Sequence, residues 1–197
     1  MSKHLRIWLF VILGTLLATT SLLAQGVITM TTSRAVGEEI GLSIKANGNV
    51  AIEGAQETSD YDTYTLTSQT VTIRGDVTEL DCRESQLTSL DVSKNIALTK
   101  LLCSNNKLTS LNVSGCTRLT FIACTSNYIK GKAMTKLVNS LPNRREKSSG
   151  TLLVVDCSSQ KRDRNRCSAA DVTTAKRKNW EVLKDRGPYD WVSYSGD

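Results

Sequence analysis

Histidine is almost missing from this chain of 197 residues: the one copy is His4. It lies in the stretch MSKHLRIWLFVILGTLLATTSLLAQG, which starts with basic Lys3, His4 and Arg6, runs apolar from Ile7 to Leu23 and then reaches Ala24. That order is expected of an export signal cleaved near Ala24, leaving a secreted or surface-associated protein. The apolar run is slightly short for a membrane anchor and is broken by Gly14, several threonines and Ser21, and no cysteine stands near the cleavage point to carry a lipid. With the signal removed, no histidine remains. This excludes Ser-His-Asp and Cys-His catalysis, histidine general bases and histidine-containing zinc sites. No paired-carboxylate or nucleophile motif is recognisable either, so the chain is expected to be no enzyme, and a small exported enzyme is the weakest alternative.

Aromatic residues are scarce too, at 5%. Binding of nucleic acid by stacking wants rings interleaved with charge, and the basic stretches NRREK, QKRDRNR and AKRKNW contain few. No nucleic-acid partner is expected. Residues 25–129 carry 8 basic and 11 acidic side chains, whereas 130–197 carry 15 and 8, so the C-terminal part is basic. These stretches are expected to be solvated helix and loop faces. Weak contact of the basic tail with acidic polysaccharide or lipid is the more specific alternative.

What the chain has is internal repetition. Set in lines of 21 residues, Val77-x-x-Leu80-x-Cys82 is followed by Leu98-x-x-Leu101-x-Cys103 and Leu119-x-x-Ile122-x-Cys124. The second half of each line repeats as well: Leu87-x-x-Leu90-x-Val92, then Leu108-x-x-Leu111-x-Val113, with Ile129 opening a third. Each line therefore holds two short segments of period two, separated by turn-forming residues. A 21-residue turn with two extended sides is expected to be one coil of a solenoid, stabilised by its neighbours and capped at its ends.

The pattern L-x-x-L-x-C-x-x-N-x-L resembles the leucine-rich repeat, and in particular the internalin-like, cysteine-containing repeats of secreted bacterial proteins. Asn106 and Asn127 take the repeat's asparagine position, and Ser85 departs from it. The resemblance implies that the asparagine amide satisfies backbone groups where the chain leaves the strand. The expected fold is a leucine-rich-repeat solenoid, a β-rich right-handed coil with an N-terminal β cap over 25–76, regular repeats over 77–130 and longer helix-containing repeats over 131–197. In the cap, Asn47-Gly48 predicts a hairpin. In the tail, Met134, Leu137, Val138 and Leu141 predict a helix stopped by Pro142, and Ser168 with Asp171 predicts a capped second helix before a final strand, WEVLKD.

Cys82, Cys103, Cys124 and Cys157 are expected in one inward row. A line of thiols on adjacent strands about 4.8 Å apart cannot surround a tetrahedral metal, and it exceeds the ~3.5–4.5 Å between bridged Cβ atoms. Buried reduced thiols that pack as small hydrophobes are the expected role, with no metal and no cofactor. Cys116 and Cys167 lie outside the row, and a bridge involving either stays open.

The residues between the inward ones are expected to face a partner: Glu79, Asp81 and Arg83, then Lys100, Leu102 and Ser104, then Phe121, Ala123 and Thr125, and further on Val154 and Asp156. The resemblance implies adhesion or host contact through this strand face, with a protein partner on a host or bacterial surface. Docking to another bacterial surface protein as an envelope-assembly component is the alternative.

Overall fold

The computed structural model describes residues 26–158, 163–187 and 190–197, so the export signal expected over 1–24 lies outside the described residues. In chain order the strands are β1 (Val27–Thr32), β2 (Glu39–Gly41), β3 (Ser43–Glu53), β4 (Ala55–Glu57), β5 (Thr63–Leu66), β6 (Thr70–Asp81), β7 (Leu87–Asp91), β8 (Lys100–Leu102) and β9 (Phe121–Ala123). Helix α1 (Lys132–Ser140), β10 (Gly150–Asp156), helix α2 (Ala169–Arg177), β11 (Trp180–Asp185) and β12 (Trp191–Ser193) follow.

Nine of these strands form one mixed sheet, ordered β12-β11-β10-β9-β8-β6-β1-β7, with β3 also paired to β6. Strands β2, β5 and β4 form a small antiparallel sheet of their own. The 21-residue interval is visible as register: Glu79 pairs with Lys100 and Lys100 with Phe121, all in parallel. Strands β10 and β11 extend this parallel block, and β12 closes it antiparallel.

This corrects the expected leucine-rich-repeat solenoid. Among the described residues the fold is a mixed nine-stranded sheet with two short helices and no regular solenoid. The physical reason lies in the second half of each repeat line. A coil would stack Leu87–Val92 and Leu108–Val113 as a second parallel wall. Instead β7 pairs antiparallel with β1, Met30 facing Leu90, and a single parallel bridge, Asp91 to Asn112, joins the two segments. β1 thus enters the main sheet between β6 and β7, where it also pairs antiparallel with β6. β6 runs unbroken from Thr70 to Asp81, across the join expected at residues 76 and 77.

Two local irregularities explain other differences. Asn47-Gly48 makes no hairpin: it lies inside the continuous β3, where Asn47 pairs with Asp76 but Ala51 with Arg74, so the extra residues bulge and Gly48 takes φ +90°. A second register shift sets Lys45 opposite Glu79 and Ala46 opposite Val77, leaving Thr78 extra. It moves the inward phase of β6 from Val71, Ile73 and Val77 to Leu80 and Cys82, which puts the cysteine in line with the later repeats.

Beneath the sheet lies one contiguous core containing Leu80, Leu101, Ile122 and Leu152 from the parallel strands and Leu87, Leu108 and Ile129 from the return segments. Each such side chain, fully buried, contributes roughly 1.5–3 kcal/mol. The helices complete this side. α1 buries Met134, Leu137 and Val138, and Leu141, just past its end, is buried as well. α2 begins with a capping box in which Ser168 Oγ accepts from Asp171 N while the Asp171 carboxylate accepts from Ser168 N at 3.2 Å. It buries Val172 and Ala175.

Candidate binding face and its supporting ladders

Strands β8 and β9 have three residues each, and side chains tie the ends of the parallel strands together. Asn106 Nδ2 donates to the carbonyls of Cys82 at 2.9 Å and Cys103 at 3.1 Å, while its Oδ1 accepts from Leu87 N at 2.8 Å. Asn127 repeats this one rung on, with Nδ2 to Cys103 O at 2.9 Å and Cys124 O at 3.1 Å and Oδ1 accepting from Leu108 N at 2.9 Å. Asn165 supplies a third rung, Nδ2 to Cys124 O at 2.8 Å and Val154 O at 2.9 Å. Sequence spacing misses Asn165, which stands in the longer final segment. Ser85, where the asparagine is absent, donates instead to Gly41 O at 3.0 Å.

Asp163 ends this ladder. Its Oδ2 accepts from Ser126 N at 2.8 Å and Asp156 N at 2.7 Å, and its Oδ1 from Asn165 N at 2.8 Å. Burial raises its affinity for a proton, and although these three N–H groups oppose that, the carboxyl stays above the usual aspartate value.

Cys82, Cys103 and Cys124 stand in one row with no solvent exposure, free of bridges. Burial pushes all three thiols well up, so they are protonated packing groups rather than nucleophiles. Cys157 is a correction. It is exposed, and the fourth position of the row is Val154. The reason is register: Leu152, not Val155, pairs with Ile122, so the inward row continues through Val154. A further irregularity follows, because Leu153 pairs with Leu183 but Val155 with Lys184. Val154, expected to face outward, is therefore fully buried, and Leu153 takes the outward place. Cys116 and Cys167 are also buried and free, each pushed up to about 12 chiefly by burial. Cys116 Sγ donates to Val92 O at 3.2 Å.

On the opposite face of the sheet, Ala123, Leu153 and Leu183 form a second apolar cluster, separate from the core, with Leu102 and Phe121 packed against it. Trp191 reaches back from β12 to Phe121, with ring centroids 5.7 Å apart and planes tilted by 43°. Lys100 Nζ lies 5.9 Å from the Phe121 centroid on the other side of the cluster. Leu102, Phe121, Ala123, Leu153 and Trp191 line a groove of about 260 Å³, with Arg83 and Lys100 from the β6–β8 side and Asp156 and Asp185 from the β10–β11 side. Trp191 remains 47% exposed, so the aromatic pair is available to a partner.

Of the eleven residues expected on this face, the nine from the first three repeat lines divide into two groups. Arg83, Lys100, Leu102, Ser104, Phe121, Ala123 and Thr125 line the groove, with Ser104, Ala123 and Thr125 as its buried floor. Glu79 and Asp81 do not line it. Glu79 is paired with Lys45 at 3.2 Å, and Asp81 accepts from the Arg83 guanidinium, Nε to Oδ1 at 2.9 Å and Nη2 to Oδ2 at 2.6 Å, and from Arg83 N at 3.1 Å. Partial burial favours protonated Asp81, but the hydrogen bonds and charge of Arg83, with Lys100, outweigh it and hold the carboxyl below the usual range. Sequence reasoning missed Leu153, Leu183 and Trp191. The alternation in WEVLKD and the tryptophan of DWVSYSGD were the available signals.

Among the described residues no group of three or more metal-binding side chains is assembled. No protein-family model matches the chain, and no curated protein matches it. Among solved structures, the functional domain of InlJ from Listeria monocytogenes, which includes a cysteine ladder, is similar at 26% identity with a TM-score of 0.35. The match covers 57% of this chain and 27% of that one, and it makes the Listeria internalin a weak structural neighbour of this protein.

Proposed function

We propose that the chain is an exported, non-catalytic module that binds a protein partner on a host or bacterial surface through the groove on the outer face of its parallel strands. The observation that carries this is the second apolar cluster, Ala123, Leu153 and Leu183 with Leu102 and Phe121, on the side of the sheet away from the core. Parallel strands are rarely left with one face in water, and here that face has a buried apolar centre rimmed by half-buried Leu102 and Phe121 and by exposed Trp191. Arginine and aromatic side chains around a desolvated centre are the residues that dominate protein interfaces. Basic groups on one side of the groove and acidic groups on the other favour a partner segment of complementary polarity. Adhesion or host contact is suggested by the internalin-like pattern of the repeat lines and by the expected export signal.

The test is saturable binding of purified, labelled mature protein to intact host and bacterial cells, before and after the cells are shaved with protease. Trp191→Ala and Phe121→Ala are each expected to weaken binding about thirtyfold, equivalent to roughly 2 kcal/mol, with thermal unfolding little changed. Shaved cells are expected to lose the part of the binding that Trp191→Ala weakens. Undiminished binding by both variants, or by shaved cells, defeats the proposal.

A further inference from the structure

A larger cleft, of about 860 Å³, lies at the turn end of the parallel strands and meets the apolar groove at Asn105. Four cations line it: Lys107, Lys130, Arg164 and Arg166. They come from separate parts of the chain, so the cluster is made by the fold and not by one basic run. The facing carboxylate, Asp163, is already committed to three backbone N–H groups. Lys107 Nζ donates to neutral acceptors, Ser33 Oγ at 2.8 Å and Gln86 Oε1 at 3.0 Å. Arg164 lies 5.1 Å from the centroid of the Tyr128 ring. Arg166 is the one held in place, donating from Nη1 to Asp163 O at 3.1 Å and Asn165 O at 2.6 Å, with Asp197 3.9 Å from its Nε. Among the described residues no carboxylate lies within ion-pair distance of Lys107, Lys130 or Arg164.

We propose that this cleft binds an acidic polysaccharide, the cations taking its carboxylate or sulfate groups and the polar lining its hydroxyls. Asn105, Ser126 and Gln86 line the same cleft and provide neutral hydrogen-bonding groups between the charges. The polymer classes that share negative charge fit less well. A nucleic acid needs ring faces for its bases, and the one ring in the lining, Tyr128, already has Arg164 over it. A lipid surface needs apolar side chains to insert, and the lining contains no aliphatic one. The basic stretch around Arg144 does not compete, because Arg144 Nη1 is spent on Leu119 O at 3.2 Å and Arg145 Nε on Arg177 O at 2.7 Å. The cleft and the aromatic groove share Asn105 alone among their lining residues, so a protein partner and a polysaccharide can be held side by side.

Calorimetric titration of the mature protein at about physiological ionic strength tests this, using heparin as a sulfated polymer, polygalacturonate as a carboxylated one and dextran as a neutral one. At least one acidic polymer is expected to bind while dextran does not, and which one binds identifies the anionic group. The triple variant Lys107→Gln, Lys130→Gln, Arg164→Gln is expected to lose about tenfold or more in affinity. A triple of equal charge elsewhere, Lys94→Gln, Arg118→Gln, Lys136→Gln, is expected to bind as the parent does. Trp191→Ala should also bind heparin or polygalacturonate normally, which separates failure here from failure of the groove. Equal loss in the two triples, no binding of either acidic polymer, or tighter binding of a single-stranded oligonucleotide or of phosphatidylserine vesicles overturns the proposal.

Discussion

At the residue scale, the asparagine rungs carry more than their number suggests. Asn127 satisfies two carbonyls of successive strands and one N–H of the return segment, all buried. Removing it leaves these groups without partners, each costing about 1–3 kcal/mol. Asn127→Ala should therefore destabilise by several kcal/mol in urea unfolding, while Asn112→Ala, on the exposed return side, should cost little. The two notable aspartates titrate in opposite directions. Carbon-detected NMR should find Asp81 below and Asp163 above the ordinary aspartate range. The stability from Asp81 is complete above its unfolded pKa and is lost as pH falls through the lowered folded value. For Asp163 the sign reverses: its favourable contribution is present below the unfolded pKa and is lost as pH rises through the raised folded value. Arg83→Gln should move Asp81 back toward the ordinary value and leave Asp163 alone. Cys103 and Cys124 should resist thiol reagents until the protein is denatured, whereas Cys157 should react at once. The positions of Asn106 and Asn127 were marked by the repeat, and their role was implied by the resemblance to leucine-rich repeats. Cys157 was misplaced because Leu152 sits on the rung beside Ile122 and the inward row continues through Val154, and the following bulge has no sequence marker.

At the element scale, the short parallel strands are set by the interval of 21 residues, and their turns are stacked as tightly. Glu84, Asn105 and Ser126 follow the three strands at that same interval and all adopt positive φ, at 59°, 57° and 54°. On the other side, Gly115 lies so close beneath the preceding turn that an added Cβ would sit 1.6 Å from Ser93 O. Gly115→Ala should therefore force the two turns apart and lower the unfolding midpoint clearly, as backbone cannot yield as a flexible side chain can. The helices were legible for local reasons: the period of Met134, Leu137 and Val138, and the reciprocal cap of Ser168 and Asp171. The N-terminal strands were not. Alternation marks β3, but nothing local tells that Asn47-Gly48 bulges within it rather than turning the chain back. That outcome depends on β6 lying beside it along its whole length.

At the scale of the whole molecule, repetition led toward a uniform coil, and tertiary pairing decided otherwise. β1 carries Ile28 and Met30 into the core and pairs with β7, taking the return segment that a coil would have stacked. A repeat interval specifies which strands are parallel neighbours, but a non-local strand outside the repeats can still claim one of them. The same asymmetry makes the proposed binding face. Its apolar centre comes from outward positions on β8, β9, β10 and β11, and its exposed ring from β12, the last strand of the chain. Lys100, Leu102 and Phe121 were foreseeable as outward residues, whereas the contribution of Trp191 required knowing that the sheet brings its edge back over Phe121.

The most direct measurement places a photo-cross-linking side chain at Leu102, in the groove, and separately at Thr109, on the exposed return side, and illuminates the protein bound to intact cells. A discrete protein adduct from the Leu102 position, missing from Thr109 and lost when Trp191→Ala is added, is the expected result. Adducts of equal yield from both positions, or an adduct at Leu102 that survives Trp191→Ala unchanged, would contradict a partner seated on the outer face of the parallel strands.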